Sequence, residues 1–263
     1  MSTRTSYAPG TPSWVDLMAP DRDAAKNFYG ALFGWTFDDM TDPESGTVVY
    51  VNCSSNGHRV CGMMELSPEM QAGGMPSVWS TYIATADADA TAAGVAAAGG
   101  TVMMPVMDVF DVGRMAMFMD PTGAAFGTWQ AKSHIGAGLV NEPFGFCWNE
   151  LDTRDTGAAG AFYEAVFGWT AQALDGPMPY FEWKMGDATM GGMMPMPEEM
   201  PAEVPSFWLT YFAVEDCDAS VAQITELGGG VAMGPTDIPA GRFAVVHDPA
   251  GATFAVMKLA ENN

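Results

Sequence analysis

Apolar and polar side chains alternate from residue 13 to 18, the two-residue period of a strand with one buried face. After Pro20, Asp21 can cap a helix that runs to about Leu32, with Ala24, Phe28, Ala31 and Leu32 on one stripe and Gly34 as its stop. Strand patterns follow near residues 36–37, 48–52 and 59–64, and then a loop rich in Pro, Gly and Met over 67–76. The next block opens on a strand at 78–85 and a helix at 88–98 closed by Gly99-Gly100. Strands near 101–104, 114–119 and 125–129 complete it, the last two joined by an Asp120-Pro121-Thr122-Gly123 turn. Each block therefore reads strand-helix-strand-strand-strand.

The whole pattern then repeats. Trp14-Val15-Asp16-Leu17 returns as Trp148-Asn149-Glu150-Leu151, and Phe28-Tyr29 with Phe33-Gly34-Trp35 returns as Phe162-Tyr163 with Phe167-Gly168-Trp169. Gly62-Met63-Met64 returns as Gly192-Met193-Met194, and Pro76-Ser77-Val78-Trp79 as Pro205-Ser206-Phe207-Trp208. Gly113-Arg114 returns as Gly241-Arg242, and Asp120-Pro121-Thr122-Gly123-Ala124 as Asp248-Pro249-Ala250-Gly251-Ala252. So many ordered matches mean tandem duplication. The expected organisation is a domain over 8–131 (modules about 11–66 and 77–130), a linker over 132–143, and a domain over 144–259 (modules about 145–195 and 206–258). No module can bury a sheet face alone, so the four must pair. Pairing the first with the second is simplest, with exchange between halves or between chains left open.

Composition narrows the function classes. The chain has 263 residues, 48% of them hydrophobic, enough for two full cores. With 32 acidic against 10 basic residues the net charge is −22, a field that repels phosphate backbones and argues against nucleic acid as a partner. No apolar run approaches a membrane span and no signal-like start is present, so a cytoplasmic protein is expected, with export by a route lacking a cleaved signal left open. The four cysteines share no motif spacing and are expected as reduced core thiols. Phosphate-loop, dinucleotide-binding, hydrolase-elbow and zinc-protease signatures are absent.

The fourfold module, with xFYxxxFGW on its helix and DPxGA in its last hairpin, resembles the vicinal-oxygen-chelate superfamily, which includes glyoxalases, bleomycin-resistance proteins and dioxygenases. The tandem form is similar to glyoxalase-like proteins of actinobacteria, some labelled hydroxylases beside aromatic polyketide pathways. The resemblance implies an α+β fold of two tandem domains, each made of two βαβββ modules forming a cup-shaped mixed sheet with helices outside. It also implies metal ligands on the first, fourth, fifth and eighth strands of a cup. Counted onto this sequence, those positions fall at Trp14 and Trp148, around Met63-Met64 and Met193-Met194, at Thr81 and Thr210, and at Gly127 and Ala255. None offers the imidazole or carboxylate such an ion needs, so no metal or other cofactor is expected there. His58, His134 and His247 sit in a turn, the linker and a hairpin, and are expected at the surface.

What stands in place of the ligands suggests a small-molecule pocket. Asp16 shares a strand face with Trp14, and Glu150 with Trp148. Trp79 with Thr81, and Trp208 with Thr210, are expected as the facing wall, Met63 and Met193 as further wall, and Trp129 near the rim. Two readings remain open for Trp14 and Trp148, which either stack on a guest or plug the cup. Asp16 and Glu150 equally either satisfy backbone N–H groups or serve as catalytic acid and base. Trp35 and Trp169 are expected in the core, and Arg114 and Arg242 in contact with carboxylates or carbonyls. The functional expectation is a metal-independent protein that binds a small aromatic or apolar molecule, such as an antibiotic or polyketide intermediate, as monomer or homodimer. The alternatives are a metal-free enzyme of hydroxylase-accessory, lyase or isomerase type using Asp16 or Glu150, and an interaction protein with filled cups.

Overall fold

Four aspartates set the starts of the four long helices. Asp21, Asp87, Asp155 and Asp216 each accept a hydrogen bond from the backbone N–H three residues on, at 2.9–3.0 Å. In the computed structural model, which describes residues 2–176 and 178–260, the first half runs β1 (Pro12–Ala19), α1 (Arg22–Phe33), β2 (Thr36–Thr41), β3 (Val48–Ser55), β4 (His58–Glu65), α2 (Pro68–Ala72), β5 (Val78–Ala84), α3 (Ala88–Ala97), β6 (Thr101–Val109), β7 (Gly113–Met119) and β8 (Ala125–Ala131). The second half runs β9 (Phe146–Thr153), α4 (Thr156–Phe167), β10 (Thr170–Leu174), β11 (Tyr180–Met185), β12 (Ala188–Pro195), β13 (Phe207–Ala213), α5 (Cys217–Glu226), β14 (Gly230–Ile238), β15 (Gly241–His247) and β16 (Thr253–Leu259). Gly34 and Gly168 close α1 and α4 in the left-handed conformation, at φ 66° and 70°. The 67–76 loop differs from expectation by one short helix, α2, which Ser67 caps through Met70 N–H.

The fold is α+β, with two eight-stranded mixed sheets. Their orders are β2-β3-β4-β1-β5-β8-β7-β6 and β10-β11-β12-β9-β13-β16-β15-β14. The first two modules thus build one sheet and the last two the other, joined where β1 meets β5 antiparallel and β9 meets β13 antiparallel. All four cysteines are free, Cys53 and Cys61 lying opposite each other on β3 and β4. No helix among the described residues is long and apolar enough to cross a membrane.

The two sheets meet through the faces that carry the helices. Strand β5 lies against β13 and β16, α1 against α5, and α3 against α4. The two motifs repeated in each half, FYxxxFGW and DPxGA, form the joint. Tyr29 of α1 donates its hydroxyl hydrogen to Asp248 Oδ2 in the last hairpin of the other domain at 3.0 Å, and Tyr163 of α4 donates reciprocally to Asp120 Oδ2 at 3.1 Å. The remaining carboxylate oxygen of each aspartate holds its own turn: Asp120 accepts from the Thr122 and Ala124 N–H groups, and Asp248 from those of Ala250 and Ala252. Each tyrosine hydroxyl also accepts an indole N–H, from Trp79 at 3.0 Å and from Trp208 at 2.8 Å. Trp35 and Trp169 donate across the same joint, to Phe144 O and Gly10 O. These indole, hydroxyl and carboxyl groups are buried and mutually satisfied, which fixes one domain arrangement.

Candidate functional site in the cups

Strand parity decides which side chains reach the cup. On β1 the alternation turns Trp14, Asp16 and Met18 away from the helices, and buries Val15 and Leu17 in the core beneath. Trp14 lies opposite Tyr82 on β5, which lies opposite Gly127 on β8. In the next row Asp16 sits between Ser80 and Gly62. The second domain repeats this with Trp148, Tyr211 and Ala255 in one row, and Glu150 between Leu209 and Gly192 in the next.

A hydrogen-bonded network covers each floor. Trp14 Nε1 donates to the Tyr50 hydroxyl at 2.8 Å, and that hydroxyl donates to Asp16 Oδ2 at 3.3 Å. The Tyr82 hydroxyl faces the same carboxyl. In the second cup Trp148 Nε1 donates to the Tyr180 hydroxyl at 2.9 Å, and Tyr211 donates to Glu150 Oε1 at 2.6 Å, with Tyr180 as a further donor to Glu150. Glycines make room for the rings: a Cβ on Gly62 would overlap Tyr50, one on Gly192 would overlap Tyr180, and one on Gly127 would overlap the ring of Tyr82. Tyr82 therefore fills the space above the eighth-strand position.

Burial dominates the electrostatics. It pushes the Asp16 carboxyl up to about 7 against the pull of Tyr82 and Tyr50, whose hydrogen bonds favour its charged form. Burial likewise raises Glu150, opposed by Tyr180 and Tyr211. Asp152, two residues further along β9, is pushed up to about 8 by burial and then by the Glu150 charge. The hydroxyls of Tyr50, Tyr82 and Tyr211 are held well above their ordinary range, so they stay protonated donors.

The structure brings Trp14 together with Asp16, and Trp148 with Glu150, but corrects the expected facing wall. Trp79, Thr81, Trp208 and Thr210 point the other way, into the joint between the domains. Thr81 Oγ1 donates to Asn149 Oδ1 there at 2.8 Å, and the two indoles serve the tyrosine clamp. The cause is parity: on β5 and β13 it is the neighbouring Tyr82 and Tyr211 that share a face with Trp14 and Trp148. Met63 and Met193 are corrected for the same reason, since they pair with Leu17 and Leu151 and are buried in the core. Met64 and Met194 occupy the cup side instead.

The expectation of a surface His134 is also corrected. Its ring is buried edge-on against Trp14 at 4.5 Å, and 5.4 Å from Trp129, whose Nε1 donates to His134 O at 2.7 Å. Burial and the nearby Arg59 charge pull its pKa down to about 4. The linker continues across the first cup, with Ala137 N–H donating to Ser13 O and Gly138 N–H to Arg59 O. Trp14 is buried by this cover, whereas Trp148, Phe207 and Phe243 around the second cup stay half-buried. Arg114 and Arg242 pair with carboxylates outside the cups, Asp89 and Asp218, both at 2.7 Å. Sequence reasoning passed over Tyr50, Tyr82, Tyr180, Tyr211 and Asp152. The tyrosines carried a usable signal, since Tyr50 and Tyr180, and Tyr82 and Tyr211, recur between the copies.

A divalent ion would need three or four convergent imidazole, thiolate or carboxylate donors. The first cup presents one buried carboxyl, Asp16, and the second two, Glu150 and Asp152. Asp38 and Glu182 share those faces, but Asp38 is exposed on an edge strand and Glu182 is paired with Lys184, while the first- and eighth-strand positions carry Trp14, Trp148, Gly127 and Ala255. Among the described residues no three His, Cys, Asp or Glu side chains gather. The donor set does not fit the metal that the resemblance implies.

Comparison with known proteins agrees with this architecture. Residues 11–127 match the model of the Glyoxalase/Bleomycin resistance protein/Dioxygenase superfamily, and residues 148–257 match that of the Glyoxalase-like domain. A protein of Mycobacterium tuberculosis named as a glyoxylase, CFP32, is 48% identical over 99% of both chains. The anthracycline biosynthesis protein DnrV of Streptomyces peucetius is 40% identical over 98% of this chain and 96% of its own. Among solved structures, the Mn(II)-bound glyoxalase from Novosphingobium aromaticivorans superposes with a TM-score of 0.65 at 17% identity, over 95% of this chain and 82% of that one. The 2,3-dioxygenase LapB from Pseudomonas sp. KL28 gives 0.60 at 15% identity over 97% and 93%. These two share the fold.

Proposed function

The chain belongs to the Glyoxalase/Bleomycin resistance protein/Dioxygenase superfamily, and from that premise we propose that it binds a small aromatic or apolar molecule in its cups without the help of a metal. The observation that carries this reading is the network built twice at the same floor: an indole, two tyrosines and a buried carboxyl where coordinating side chains would have to stand. An indole face stacks on a flat guest, and the hydroxyls and carboxyl orient its oxygens or N–H groups. The relation to a protein of anthracycline biosynthesis supports a polycyclic aromatic guest. The second cup, with its half-buried Trp148 and Phe243, is the more accessible of the two.

A specific observation favours one further reading. A carboxyl raised to about 7 can both give and take a proton near neutrality, so Asp16 is suited to general acid or base work on a bound carbonyl or phenol. Glu150 is its counterpart in the second cup. In that reading the tyrosines hold the carboxyl in place and the indole positions the ring of the substrate.

Titration with 1,8-dihydroxyanthraquinone, followed by tryptophan fluorescence, tests the binding reading. Saturable quenching is expected, and Trp148→Ala should weaken binding by about tenfold, the effect of losing one aromatic contact and the area it buries. Absence of quenching in the parent protein, or an unchanged affinity in the variant, would count against it.

A further inference from the structure

The two cups differ at several positions on the floor face: Ser80 is matched by Leu209, Asn52 by Glu182, which pairs with Lys184, and Met18 by Asp152. Asp152 of β9 corresponds to Met18 of β1, each two residues beyond the floor carboxyl and on the same face. Met18 lies opposite Met64 and Val78; Asp152 lies opposite Met194 and Phe207. An acid thus stands among apolar partners, only 9% exposed, and its Oδ1 is buried without a hydrogen-bond partner. Among the described residues neither Asp152 nor Glu150 takes part in an ion pair. The Tyr180 and Tyr211 hydroxyls feel the Asp152 charge but already serve Glu150. A buried carboxyl left without donors is costly unless something else supplies them.

We propose that the second cup takes a molecule bearing a protonated amine on an aromatic or apolar body, with Asp152, seconded by Glu150, as its counter-charge. This rests on the reading of the cup as a small-molecule site and adds the charge of its guest. An ammonium group supplies the hydrogens that Asp152 Oδ1 lacks, and its charge favours the ionised carboxyl that burial alone disfavours, the carboxyl's proton leaving to solvent as the guest binds. The guest's flat body lies along Trp148 and Phe243, the latter stacked obliquely on Tyr211 at 5.7 Å. An ammonium near these rings also gains from their faces. In the first cup Asp16 Oδ1 is likewise buried without a hydrogen-bond partner, but Met18 stands at the place of the second acid and the His134 ring lies over Trp14, so the preference is assigned to the second cup.

Isothermal titration calorimetry with two matched probes tests the inference. 9-(Aminomethyl)anthracene carries the charge; 9-anthracenemethanol has nearly the same shape without it. The full chain is expected to bind the amine at least about tenfold more tightly than the alcohol, as a charge-assisted hydrogen bond in a buried site gives. Asp152→Met, which copies the first cup, should erase that preference, the amine losing at least about tenfold more affinity than the alcohol. Near-UV circular dichroism identical to the parent's would show the variant folded, and Asp152→Asn provides a smaller change with the same expected result. Equal affinities for the two probes in the parent chain, or a preference that survives both substitutions, would overturn the amine assignment while leaving the aromatic cup intact. Failure of both probes to bind would instead remove the cup reading on which it stands.

Discussion

Replacing Tyr29 and Tyr163 together with phenylalanine is expected to lower the unfolding free energy by about 4–12 kcal/mol, the loss of two buried hydroxyls and the four groups they satisfy. Each hydroxyl accepts an indole N–H from its own domain and donates to an aspartate of the other. Its removal leaves the Trp79 or Trp208 nitrogen and one oxygen of Asp248 or Asp120 buried with nothing to bond. Each such group costs about 1–3 kcal/mol. The two sites share no residue, so their effects should add. Against a typical total of roughly 5–15 kcal/mol, that loss brings the chain close to unfolding at room temperature. Urea denaturation checks it: the midpoint should fall steeply in the double variant and by about half as much in each single one. A double variant within about 1 kcal/mol of the parent would show that the joint is not held by these tyrosines.

A second large effect concerns pH. Asp16 has an ordinary value of 3.8 and is raised to about 7 by burial in the folded chain. The unfolded chain therefore gives up this proton first. The stability tied to protonated Asp16 is fully present below 3.8 and is lost as pH rises through 7. At about 1.4 kcal/mol per pH unit, the whole span corresponds to about 4 kcal/mol. Asp16→Asn keeps the shape and cannot ionise, so its stability should exceed the parent's by up to that amount at pH 8 and match it near pH 3. His134 acts in the opposite sense. Its value drops from 6.5 to about 4 on folding, so its contribution is complete above 6.5 and is lost as pH falls toward 4. His134 opposes Asp16 between about pH 4 and 6.5, while Asp152 and Glu150, also raised by burial, act in the same sense as Asp16, so the parent's own profile sums them all. The difference between variant and parent, taken by urea unfolding at each pH, isolates Asp16. A difference that stays flat from pH 3 to 8 would place that carboxyl in water.

The architecture was largely legible because each of its signals is local. Asp21 and Gly34 bracket α1 by capping chemistry, and the duplication is written in ordered motifs that no single side-chain contact can blur. The pairing of Trp14 with Asp16 was legible for a similar reason, since two residues on one strand must share a face. The opposite wall was not. Thr81 and Tyr82 are neighbours, and a count of one residue decides which of them meets Trp14; only the register of β5 against β1 fixes it. Trp79 misled for the complementary reason, because an indole beside a small residue on a core strand has the same pattern whether it faces a guest or the other domain. The destination of Tyr29 lies 219 residues away at Asp248, a contact that no spacing within one copy could reveal. His134 was hidden by its setting, since a polar ring in a linker has no pattern to show that the linker folds back over a cup.

In the proposed function a guest is held by indole, tyrosine and carboxyl groups, with no ion between. The most direct measurement is the affinity for 1,8-dihydroxyanthraquinone before and after exhaustive dialysis against EDTA, and again after adding Mn(II), with the metal content of each sample measured. The same dissociation constant in all three states, with no stoichiometric metal retained after dialysis, is the predicted result. Binding that vanishes on dialysis and returns with about one ion per occupied cup would contradict it.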